Sequence, residues 1–147
     1  KKKEGKGTWQ HYSQTQAYKI WSGYAFENVC MKHIPQIKKA LGISGVYSET
    51  SSFYKKGTKE EKGTQIDLLL DRNDKVINVF EIKFHNSEIT ITEAYANLLR
   101  EKLRIFQETT NTRKYLMLSM ISAFGIKQNM HSLGFLEQSL LIEDLFQ

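Results

Sequence analysis

The sequence predicts an α/β fold: a mixed central sheet flanked by helices, in the order helix, strand, strand, strand, helix, strand. Three observations carry that prediction. Residues 65–71 and 76–84 are β-rich runs joined by the polar turn Arg72-Asn73-Asp74-Lys75, which makes them a hairpin. Good helix formers fill the chain from Glu93 to about Thr110, so the next strand is reached by a crossover and the sheet is mixed. That next strand, residues 114–122, is almost continuously apolar, as expected when both faces are covered.

Taken in order, residues 1–16 are polar and rich in Lys, Gln, Ser and Thr, the composition of a basic leader or linker before a domain over 17–147. Phe26, Cys30, His33 or Ile34, and Ile37 recur at three and four and mark one face of a helix. Pro35 breaks that helix and opens a new one, which Gly42 stops. Residues 42–54 alternate irregularly and read as the first strand or a bent hairpin; 55–63 are loop. Thr90 and Glu93 have the spacing of a capping box ahead of the long helix. Its inward stripe is expected to hold Tyr95, Leu98, Leu99, Lys102, Leu103 and Phe106. Lys102 is out of character there; it either snorkels to water or reaches over the sheet toward acidic groups. Residues 139–146 give a short strand and a terminal turn or helix.

With 147 residues, 40% hydrophobic and 25% charged, the chain suits one domain with a real core. A start at Lys1 leads us to expect a longer parent chain. The lone Cys30 excludes an internal disulfide and fits a reducing compartment, so the expected location is the cytoplasm. No apolar run is long enough to span a membrane and no secretory signal is visible, so no membrane partner is expected. The net charge of +5 suggests an anionic partner, but Lys1, Lys2, Lys3, Lys6 and Glu4 alone supply +3 of it. A second cluster, Lys55, Lys56, Lys59 and Lys62 with Glu60 and Glu61, is either a solvated loop or a contact for nucleic-acid phosphates. Gly5-Lys6-Gly7-Thr8 lacks the strand and spacing of a nucleotide-binding loop.

The hairpin carries the chemistry. Alternation puts Ile77, Val79, Glu81 and Lys83 on one face, and Gln65, Asp67, Leu69 and Asp71 on one face of the preceding strand. Antiparallel pairing can then set Asp67 beside Glu81, with Lys83 just beyond. Two close carboxylates repel unless a cation joins them, and hard oxygen donors suit Mg²⁺ or Mn²⁺. A neighbouring lysine can orient or deprotonate a water, or steady charge developing on phosphate. The plainer reading is a surface hairpin with an exposed Glu–Lys pair. Taken alone, Glu27 is the wet edge of the first helix, and His33 is most simply a satisfied histidine.

A helix bearing Glu27, a strand, a strand bearing Asp67, a strand bearing Glu81-Ile82-Lys83, a helix and a strand together resemble the PD-(D/E)XK, or restriction-endonuclease-like, superfamily. The phrases Gly23-Tyr24-Ala25-Phe26-Glu27, Ala40-Leu41-Gly42-Ile43 and Gln65-Ile66-Asp67-Leu68-Leu69, with residues 95–102, look more specifically like the nuclease-like C-terminal domain of a group of prokaryotic AAA-type ATPases. Ile66 stands where the family's name implies a proline. The resemblance covers residues 17–147 and implies a restriction-endonuclease-like core with a Mg²⁺-dependent nuclease activity, most simply on DNA, attached to an ATPase. It implies that Asp67 and Glu81 hold the metal with the backbone carbonyl of Ile82. It further implies that Glu27 completes the shell or binds a second ion, that Lys83 orients or activates the attacking water, and that Gln65, Tyr95 and Lys102 support. The competing expectation is a non-catalytic module that binds nucleic acid or protein for such an ATPase.

Overall fold

Two chain breakers shape the first helices of the computed structural model, which describes residues 16–131 and 136–146. The leader read over residues 1–16 lies outside them except for Gln16, which opens helix α1 (Gln16–Met31). Helix α2 (Ile34–Ala40) carries Pro35 in its first turn, where a missing N–H costs nothing. It closes at Leu41, and Gly42 then turns the chain with φ +75°.

Strands β1 (Ser48–Lys55), β2 (Thr64–Arg72) and β3 (Val76–Lys83) form an antiparallel meander. After the two-residue strand β4 (Ile89–Thr90), helix α3 (Glu93–Thr110) crosses over to β5 (Tyr115–Ser122), which pairs parallel with β3. A further short strand, β6 (Ile126–Lys127), pairs with β4, and β7 (Gln138–Leu141) adds parallel to β5 before a 3-10 turn, Ile142–Phe146. The main sheet order is β1-β2-β3-β5-β7, a mixed five-stranded sheet as the crossover argument required. Among the described residues, no helix is long and apolar enough to cross a membrane.

Both faces of the sheet are covered. On one, Phe26 and Cys30 of α1 and Ile37 of α2 pack on Leu68, Leu70, Phe80, Ile121 and Leu140. On the other, Phe106 and the half-buried Leu103 of α3 pack on Ile66, Leu69, Ile77 and Val79. Each such aliphatic side chain contributes about 1.5–3 kcal/mol when taken out of water. Two local expectations change. The helix cap is Thr92, whose hydroxyl accepts from the Tyr95 amide, while Thr90 is committed to β4. Leu98 is 52% exposed instead of inward, and Ala96 and Ile105 fill the buried stripe in its stead.

Candidate functional site

The site is built where the hairpin forks. Pairing between β2 and β3 runs from Asp71–Ile77 to Leu68–Phe80. Beyond that rung β2 continues against β1 to Thr64, while β3 continues against β5 to Lys83. The β2–β3 ladder thus ends one rung short of Asp67 and Glu81. The alternation itself fails at Asp67. From Ser51 to Phe53 is two steps on β1, but the matching rungs on β2, Leu69 to Ile66, are three apart. The extra residue is a bulge, a device that re-aims side chains beside sites. Ile66 and Leu69 therefore both face α3, and Leu68 and Leu70 face α1. Asp67 does not share a face with Leu69; it lines a groove with Gln65 and with Glu27 of α1.

Glu27 and Asp67 form a strained pair of acids. Burial pushes the Glu27 carboxyl above its usual range, followed by the charge of Asp67, a hydrogen bond shared with Asp67 and the charge of Glu81; Lys102 partly offsets this. Gln65 steadies the other partner, its Nε2 donating to Asp67 Oδ1 at 2.8 Å. Beneath them, burial and then the Glu27 charge raise the Cys30 thiol to about 12, which keeps this fully buried sulfur protonated and inert.

Glu81 is held from the α3 side. The Tyr95 hydroxyl donates to its Oε2 at 2.8 Å and Lys102 Nζ to its Oε1 at 3.1 Å. Only 14% of the Glu81 side chain and 26% of the Lys102 side chain are exposed, so this pair is part-buried. Lys102 therefore reaches the acid instead of snorkelling. Burial, then the Glu81 charge, push the Tyr95 phenol far up, so it remains a donor. Lys83 Nζ lies 5.7 Å from the centre of the Tyr95 ring, within cation–π range. The half-buried Ile82 packs onto the α1-side core.

Among the described residues, no three His, Cys, Asp or Glu side chains close into a ready-made metal cage. The donor chemistry nevertheless suits a hard divalent cation. Glu27, Asp67 and Glu81 are all oxygen ligands, and the repulsion that raises Glu27 is the kind a cation relieves. The Glu81 oxygens that accept from Tyr95 and Lys102 each keep a second lone pair.

The lysine cluster occupies the loop between β1 and β2, at the same end of the sheet. Lys55 pairs with Glu61 at 3.3 Å, and Lys56, Lys59 and Lys62 are exposed. Gly57 and Gly63 pinch the loop's neck: a Cβ on Gly63 would lie 2.3 Å from the Lys55 carbonyl oxygen. His33 is satisfied, with Nδ1 2.7 Å from the Val29 carbonyl oxygen and its ring edge-on to Phe146. Sequence reasoning passed over Asn28, Ser52 and Tyr54, which line the groove of about 390 Å³ beside Glu27 and Asp67. The rung Tyr54–Gln65 was the available signal, but the irregular pattern of β1 hid its register.

Residues 2–112 match the family DUF234, described as "Archaea bacterial proteins of unknown function", and the chain belongs to that prokaryotic family. No curated protein matches it significantly. Among solved structures, the crystal structure of a protein of unknown function, AF1548, aligns with a TM-score of 0.52 at 15% identity. The alignment covers 80% of this chain and 64% of that one, and the likeness is one of fold.

Proposed function

We propose that this DUF234 member is a metal-dependent phosphodiesterase of the PD-(D/E)XK kind, a nuclease acting on DNA in the cytoplasm, attached to an ATPase domain in a longer chain. The observation that carries the reading is that Glu27 feels the charges of both Asp67 and Glu81 at the β2–β3 fork, with Lys83 against the ring of Tyr95, whose hydroxyl holds Glu81. An acidic cluster without a cation is unfavourable, and its presence at a sheet fork favours a working site. Asp67 and Glu81, with the Ile82 carbonyl and Glu27, are the groups that would hold Mg²⁺ or Mn²⁺. When bound, such an ion would polarise a phosphoryl oxygen and make water more acidic.

The chain's own groups divide the remaining work. Lys83 orients the attacking water or neutralises charge on the phosphate. Tyr95 and Lys102 fix the rotamer of Glu81, and Gln65 fixes Asp67. Lys55, Lys56, Lys59 and Lys62 meet flanking phosphates. A second reading, a non-catalytic binding module for the ATPase, draws support from the Lys102–Glu81 ion pair, which already neutralises one acid.

The variant Lys83→Met separates the two. On labelled DNA with Mg²⁺ or Mn²⁺, the nuclease reading expects cleavage to drop by about 100-fold or more while DNA affinity changes little. Equal cleavage by variant and wild type would remove Lys83 from the chemistry. Absence of any cleavage by wild type, with DNA affinity intact, would favour the binding module.

A further inference from the structure

We infer that the groove between α1 and the β1–β2 hairpin is a nucleobase subsite, so that the substrate strand arrives with one base unstacked. The substrate class is then single-stranded, flapped or frayed nucleic acid in preference to intact duplex. This inference rests on the phosphodiesterase reading above.

The groove holds about 390 Å³, within the range of small-molecule sites. Its walls are mixed in the way a base requires. Met31 and the 70% exposed ring of Tyr54 offer apolar and aromatic surface, and Asn28, Ser52 and Gln65 offer polar edges. Among the described residues, the side chains of Asn28, Ser52 and Tyr54 make no hydrogen bond, so their polar atoms are open to a ligand. Aromatic rings stack on bases of any sequence, and carboxamides pair with base edges.

Charge orders the strand along the site. Glu27 and Asp67 line the groove, and without a bound cation their charge repels a phosphate but accepts a neutral base. The cations lie just outside: the rung Lys55–Thr64 follows directly on Tyr54–Gln65, and beyond it stands the loop with Lys56, Lys59 and Lys62. Base toward Tyr54 and Asn28, backbone toward the lysines, is the order this distribution of charge favours. A base stacked and paired in a duplex cannot enter; removal from the stack is the cost common to enzymes that hold single bases.

The test measures binding with Ca²⁺, and cleavage with Mg²⁺ or Mn²⁺, of a fluorescent single strand and a blunt hairpin duplex. Both are run on wild type, Tyr54→Ala and Asn28→Ala, two substitutions of exposed side chains; circular dichroism checks that each folds. The expected result is a single-strand preference in wild type that Tyr54→Ala weakens roughly 5- to 100-fold, the range for losing one stacked base, with duplex binding unmoved. Wild type that binds single strands through Tyr54 but cuts nothing upholds the subsite and overturns the phosphodiesterase reading. Wild type that cuts duplex and single strand alike, unaffected by Tyr54→Ala, upholds that reading and overturns the subsite.

Discussion

At the scale of single residues, Glu27 and Lys102 state what the site costs the fold. The folded chain holds the Glu27 proton more tightly than the unfolded chain, so the native state binds more protons and stability falls as pH rises through that interval. Glu27→Gln removes this penalty. Its melting temperature should exceed that of wild type at pH 7, and the gap should close as pH drops below the ordinary value of 4.5. A constant gap across pH would mean that ionisation is not its source. Lys102→Met strands a carboxylate that is only 14% exposed and should destabilise the chain by about 1–3 kcal/mol in urea unfolding. Adding Glu81→Gln should recover most of that loss, because the buried charge disappears with its partner.

At the scale of elements, the strands and helices were legible wherever one periodicity ran uninterrupted. The 3.6-residue pattern gave α3 its full length, and Pro35 with Gly42 bracketed α2. The bulge at Asp67 was not legible, since the run Leu68-Leu69-Leu70 is apolar in either register and masks a slipped face. Nor were β4 and β6, at two residues each too short for any pattern. Threonines at 90 and 92 both offered a cap, and only the pairing of β4 decided between them. The β2–β3 turn holds a comparable surprise: the left-handed residue is Lys75, with φ 71°, not its Asn or Asp neighbour. A side chain there carries a local penalty, so Lys75→Gly should stabilise the chain by about 1 kcal/mol in urea unfolding. A destabilised variant would show that Lys75 makes a contact outweighing its backbone strain.

At the scale of the whole molecule, a polar thread crosses the sheet on the residues the sequence marked least. Arg72 of β2 donates to Asn78 Oδ1 of β3 at 3.0 Å, and Asn78 donates to Ser119 of β5 and Gln138 of β7 at 3.1 and 3.2 Å. Asn78 and Ser119 are fully buried, and Asp74 grips the other edge of Arg72. The thread ties the meander to the parallel half of the sheet at the end away from the fork. Asn78→Leu should cost about 2–3 kcal/mol in urea unfolding, because Arg72, Ser119 and Gln138 all lose a partner in a dry setting. A site carried by the fork and braced by this thread should still gather Glu27, Asp67 and Glu81 in any variant that folds. The most direct measurement is therefore calorimetric titration of Mg²⁺ and Mn²⁺ into wild type and into Asp67→Ala/Glu81→Ala. Saturable heat in wild type, absent in the double variant, is the predicted result; no heat in wild type, even with DNA present, would contradict a metal-dependent site at the fork.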